Sequence, residues 1–154
     1  MADERLYEQK LTKLIKDWLY ASRDVNRFVE ASETKDHMIA KICVHMSDRF
    51  NLPREEAKGY INYTTGEFKP GRCMSYLLDP PQLIGWYKEL QAACKTLNSL
   101  PFKTKERGQV IAQAYLVQTS SLMSEIKQLF GESKAKEIAA RAKATAIKET
   151  GISF

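Results

Sequence analysis

The chain has 154 residues, 44% hydrophobic and 28% charged, with only seven Gly and five Pro. That balance excludes wholesale disorder and suits one domain with a core of its own. The formal charge of +5 and the pI near 9.1 admit nucleic acid or an acidic surface as a partner and say nothing about fold.

Three cysteines, Cys43, Cys73 and Cys94, are odd in number and show no CxxC spacing. They fit a reducing, intracellular setting, cytoplasmic or nuclear, better than a disulfide framework. The start, MADERLYEQK, carries charge where a signal peptide needs an apolar run. The longest uncharged stretch, residues 108–124, is 17 long and rich in Gln, Ser and Thr. It is too short and too polar to span a bilayer, so no membrane partner is expected.

In chain order, the first helix is expected over residues 3–31. Tyr7, Leu11, Leu14, Ile15, Trp18, Ala21, Val25, Phe28 and Val29 share one face, and Lys13, Lys16, Asp17, Arg23, Asp24 and Arg27 share the other. SETKD at 32–36 reads as a break, with Ser32 or Thr34 available as the next N-cap. A second helix follows over 35–50, burying Met38, Ile39, Ile42, Cys43, Met46 and Phe50. After the turn Asn51-Leu52-Pro53 comes a short helix over 54–63, with Ala57, Tyr60 and Ile61 inward. Residues 63–74, YTTGEFKPGRCM, interrupt the helical pattern as a loop or small hairpin in which Phe68 is accompanied by Lys69 and Arg72.

Asp79-Pro80-Pro81-Gln82 is a helix start, and Leu83, Trp86, Tyr87, Leu90, Ala93, Cys94 and Leu97 line one face of the helix that follows to about 98. NSLPFK at 98–103 is a turn anchored by Leu100 and Phe102, and Thr104 caps the next helix, over 105–131. In its first turns Val110, Ile111, Ala112, Ala114, Tyr115, Leu116 and Val117 leave only Gln109 and Gln113 as a polar edge. Residues 110–117 are therefore expected to form a buried central rod, and Leu122, Met123, Ile126, Leu129 and Phe130 a one-sided stripe open to an interface. Gly131 ends this helix and Ser133 caps the last one, 134–150, whose inward face is Ala135, Ile138, Ala139, Ala142 and Ala146. Gly151 and Ile152 predict a Schellman-like end, with Ile152 touching Ile147.

The expected fold is thus all-α: a single-domain irregular bundle of five to six helices over 1–154. Gly-rich phosphate loops, HExxH and nucleophile elbows are absent from the sequence, and it offers no catalytic, metal or cofactor motif. The two histidines, His37 and His45, are eight apart, a poor spacing for one metal.

Two stretches are candidates for binding DNA or RNA. Residues 38–62 resemble helix-turn-helix architecture in pattern, with Arg54 and Lys58 as base readers and Lys41 and Arg49 on phosphates; Glu55 and Glu56 oppose this. The last helix carries Lys134, Arg141 and Lys148 on one side of its alanine face and Lys136 and Lys143 on the other. Together with Lys103, Lys105 and Arg107 these are expected to line a basic surface, and Lys69 and Arg72 join the set from the loop. The leading expectation is a non-catalytic nucleic-acid-binding protein. The alternative is a helical adaptor or assembly subunit that meets a protein partner or a second copy through its C-terminal helices.

Overall fold

A computed structural model describes residues 3–59, 61–62 and 81–153. Among them are five α-helices: α1 (Glu4–Phe50), α2 (Arg54–Lys58), α3 (Pro81–Ser99), α4 (Lys105–Phe130) and α5 (Glu132–Thr150). The all-α expectation holds. The chain divides into two compact units, one of Met1–Asn26 and Thr104–Phe154, the other of Arg27–Lys103. The expected loop at 63–74 and the N-cap at Asp79 lie outside the described residues.

The first two expected helices are one. α1 runs unbroken for 47 residues, through SETKD. That segment holds neither Gly nor Pro, and Ser and Thr disfavour a helix interior by only about 0.5 kcal/mol each. Ala31, Met38, Ile39 and Ile42 are buried on both sides of it, so one apolar stripe crosses the presumed break. A capping residue permits a helix start; it does not force one. The pattern also missed Leu19, which is 2% exposed.

In the unit Arg27–Lys103, the core joins Met38, Ile42, Cys43 and Met46 of α1 to Ala57, Ile61 and, from α3, Leu83, Leu90 and Cys94. Trp86, Phe50 and Leu52 pack against it. Phe102 is buried and stacks at a tilt on Phe28, 5.5 Å between centroids, the anchoring expected of the turn before α4. Burial pushes the thiols of Cys43 and Cys94 up, so the reactive thiolate is disfavoured at both. α1 ends at Phe50, and Asn51 after it has a φ of 53°, in the left-handed region that Asn tolerates better than most residues.

In the other unit, Leu11 of α1, Ile126 of α4, and Ala135, Ile138 and Ala142 of α5 form a fully buried cluster. Tyr7, Ile15, Leu122, Met123 and Phe130 pack around it. Thr104 caps α4, its hydroxyl oxygen accepting from the Arg107 N–H at 3.2 Å. Gly131 alone separates α4 from α5, with φ 89° and ψ 163°, a region open essentially only to glycine. Its N–H donates to the Lys127 carbonyl and its own carbonyl accepts from the Ala135 N–H, both at 3.0 Å. α5 therefore starts at Glu132, and Ser133, expected as its cap, lies inside the first turn. At the far end Gly151 is left-handed, φ 69°, and donates to the Ile147 carbonyl at 2.9 Å. That single bond is the simpler left-handed cap rather than the Schellman pair, because the Ile152 N–H turns to the Thr150 hydroxyl at 3.2 Å.

The two halves of α4 reverse their expected roles. Leu122, Met123, Ile126 and Phe130 line the core, and Val110 and Val117 are 69% and 55% exposed. A helix apolar on nearly every side does not itself choose an inward face. The chain turns back at Gly131, and α5 covers the side that carries Ile126; Ile111, Ala112 and Tyr115 are half-buried, while Val110, Ala114, Leu116 and Val117 are left in solvent.

Two paired substitutions check this fold by chemical denaturation. Ile126→Ala is expected to cost about 2–5 kcal/mol, the range for deleting a fully buried aliphatic side chain, and Val110→Ala less than about 0.5 kcal/mol; equal losses would contradict the reversal. A Cβ at Gly131 meets nothing within 4 Å, yet Gly131→Ala should lower stability by about 1–3 kcal/mol through backbone strain. Gly85→Ala, in open space on α3, should raise it by about 0.4–1 kcal/mol, and a gain at both sites would contradict the strained turn.

Candidate interaction surface

The expected cationic residues divide between the units. Arg54 and Lys58 sit exposed on α2, which is five residues long. Gly59 closes that helix, its N–H donating to the Glu56 carbonyl at 3.0 Å, so the expected helix over 54–63 stops early. One and a half turns do not make a recognition helix, and the partner helix of the supposed corner is the end of α1. α2 is therefore shorter than the second helix the pattern expected, and it buries its own Ala57. Lys58 stands 3.9 Å from Glu55. Lys69 and Arg72 lie outside the described residues.

Lys105, Arg107, Lys136, Arg141 and Lys143 belong to the other unit, and all are exposed. Arg141 does not point freely into solvent. Its Nε donates to Glu8 and its Nη2 donates to Glu4 at 2.9 Å. These two carboxylates on α1 raise the guanidinium's already high pKa, Glu8 contributing most. Lys134 stands 3.5 Å from the same Glu4 oxygen. Lys16 donates to Glu149 at 2.7 Å, and that bond raises its pKa. Lys134 and Arg141 of α5 thus face acidic groups of α1 rather than an external phosphate. Lys143 borders an apolar cavity of about 230 Å³ lined by Leu11, Ile15, Trp18, Leu116, Thr119, Met123 and Ala139.

Sequence spacing gave no means of finding these pairs, because their partners are 133 and 137 residues apart. Tyr7 joins the same surface: its hydroxyl donates to Glu125 at 2.9 Å, and the carboxylate holds the phenol protonated above its usual range. Among the described residues, no three His, Cys, Asp or Glu side chains gather to hold a metal ion, and no helix is long and apolar enough to cross a membrane. His45 packs edge-on to Trp86, 6.0 Å between centroids, and its buried Nε2 finds no hydrogen-bond partner among the described residues.

The expected protein-binding surfaces also change. Ala135, Ile138, Ala142 and Ala146 are fully buried within the unit, so the alanine face of α5 is already occupied. The open apolar surface is on α4 instead. Val110, Ala114 and Val117 line an open groove of about 820 Å³ together with Glu106, Gln109, Gln113 and Gln118. These apolar residues recur at i, i+4 and i+7, a stripe on the side of α4 opposite Gly108 and Ile126. The signal was in the sequence, as surplus apolar residues on a helix that had only one core to face.

No family model matches the chain, and no curated protein or solved structure is significantly similar to it.

The masking of Arg141 has a measurable consequence. Replacing Glu4 and Glu8 by Gln should release its guanidinium and raise the salt needed to elute the protein from heparin. Elution at the same salt would contradict the masking.

Proposed function

We propose that this protein is a non-catalytic helical assembly module that meets a protein partner through the outer face of α4. One observation carries the reading. Val110 and Val117 are 69% and 55% exposed, with Ala114 exposed between them, on a helix that has no charged residue from 108 to 124. An ordinary solvated helix face carries charge, and isolated apolar residues on a surface need no explanation. A periodic stripe with Gln and Ser flanks and charges only at its two ends has the make-up of an interface: apolar centre, polar rim.

Nucleic-acid binding is the second reading. Support for it comes from Lys105 and Arg107 in the first turn of α4 and Lys136 on α5, all exposed and without an ion-pair partner among the described residues. Gel shifts with single- and double-stranded nucleic acid at low salt separate the two, because a phosphate-driven complex weakens steeply as salt rises.

The assembly reading is tested by placing a photo-crosslinking amino acid at position 117 in the cell that makes the protein. Covalent adducts to a protein should form at 117 and not at Lys13 on the exposed side of α1. An equal yield at both positions, or none, would contradict it.

A further inference from the structure

We propose that the occupant of this surface is a second copy of the same chain, its α4 lying antiparallel across a two-fold axis. The inference rests on the assembly reading above and names its partner.

The stripe matches itself when reversed. With the axis between Tyr115 and Leu116, Val110 lies beside Ser121 of the second copy and Ala114 beside Val117 of the second copy. Large and small side chains then alternate across the contact, as two packed helices require. The charges at the two ends of the uncharged stretch are complementary in the same arrangement. In an antiparallel helix pair, residues on one flank of the stripe meet the same flank of the partner at the opposite end. Arg107 and Glu125 share one flank, and Glu106 and Lys127 the other. Each cation therefore faces a carboxylate, within about 3 Å of equal height along the axis. All four side chains are exposed, and Glu106, Arg107 and Lys127 have no ion-pair partner among the described residues. The bond from Tyr7 engages one oxygen of Glu125 and fixes the direction of its carboxylate.

A parallel pair would set the positive ends of two helix dipoles side by side, each carrying Lys105 and Arg107. The antiparallel pair cancels the dipoles. A helix pair of about five turns buries less than the roughly 1,200 Å² of a standard stable interface, so monomer and dimer exchange rather than form an obligate dimer.

Sedimentation velocity of the full chain over a hundredfold range of concentration tests this. The weight-average mass should climb from 17.6 kDa toward twice that value. Val117→Glu should hold the chain at the monomer mass, with its helical circular dichroism unchanged because that side chain lies outside the core. Arg107→Glu and Glu125→Arg should each weaken the dimer by about tenfold, since a two-fold axis repeats every substitution. The double variant Arg107→Glu/Glu125→Arg should restore it; in a parallel pair the double variant would be the weakest of the set. A chain that stays monomeric throughout, a dimer indifferent to Val117→Glu, or a double variant that is not restored would each overturn the proposal. A monomer that still crosslinks at 117 to a different chain overturns the second copy and leaves the assembly reading standing. A monomer that crosslinks to nothing overturns both.

Discussion

The contact on which the unit Met1–Asn26 with Thr104–Phe154 depends is the seating of α5's small face against Leu11 and Ile126. Ala135, Ile138, Ala142 and Ala146 expose nothing to solvent. Alanine buries little area itself, but it lets two helix axes approach closely enough for Leu11, Ile126 and Ile138 to touch from three helices. The one-residue link at Gly131 ties α5 to the end of α4, so the side covered is the one bearing Leu122, Met123, Ile126 and Phe130. That choice fixes the rest of α4. Once Ile126 faces the core, Val110 and Val117 face away from it by helical geometry alone. The exposed stripe follows from the packing and is not an independent feature.

Much of this was legible in the sequence, and the limits are physical. The helical class, the cap at Thr104, the anchoring of Phe102 and the left-handed glycine at 151 rest on local rules, which local sequence encodes. The stripe of α3 through Leu83, Leu90 and Cys94 was legible for the same reason: one apolar face admits one orientation. α4 was misread because its first turns are apolar almost all round, and its neighbours decide which side is buried. The presumed break at 32–36 failed for a related reason. Capping residues report where a helix can begin, while a stripe joining Ala31 to Met38 reports that this one continues.

The charged residues show the same division between local and distant information. Lysine and arginine spacing on the last helix correctly placed Arg141 on the surface beside the alanine face. It gave no sign that Glu4 and Glu8 would meet that guanidinium from the start of α1. The number of lysines and arginines on the last helix therefore overstates the cationic surface it offers to a phosphate backbone. The uncharged outer face of α4 is unaffected by such pairing.

The central claim is that α4 has a core face and a partner face, and that the partner face meets its own copy in reverse. Pulsed dipolar spectroscopy with a bioorthogonally attached nitroxide at one position at a time tests this most directly. Labels at Gln113, near the axis, should lie under about 20 Å apart, and labels at Gln128, far from it, about 35–40 Å apart. Equal separations at the two positions, or no dipolar coupling at either, would contradict the account.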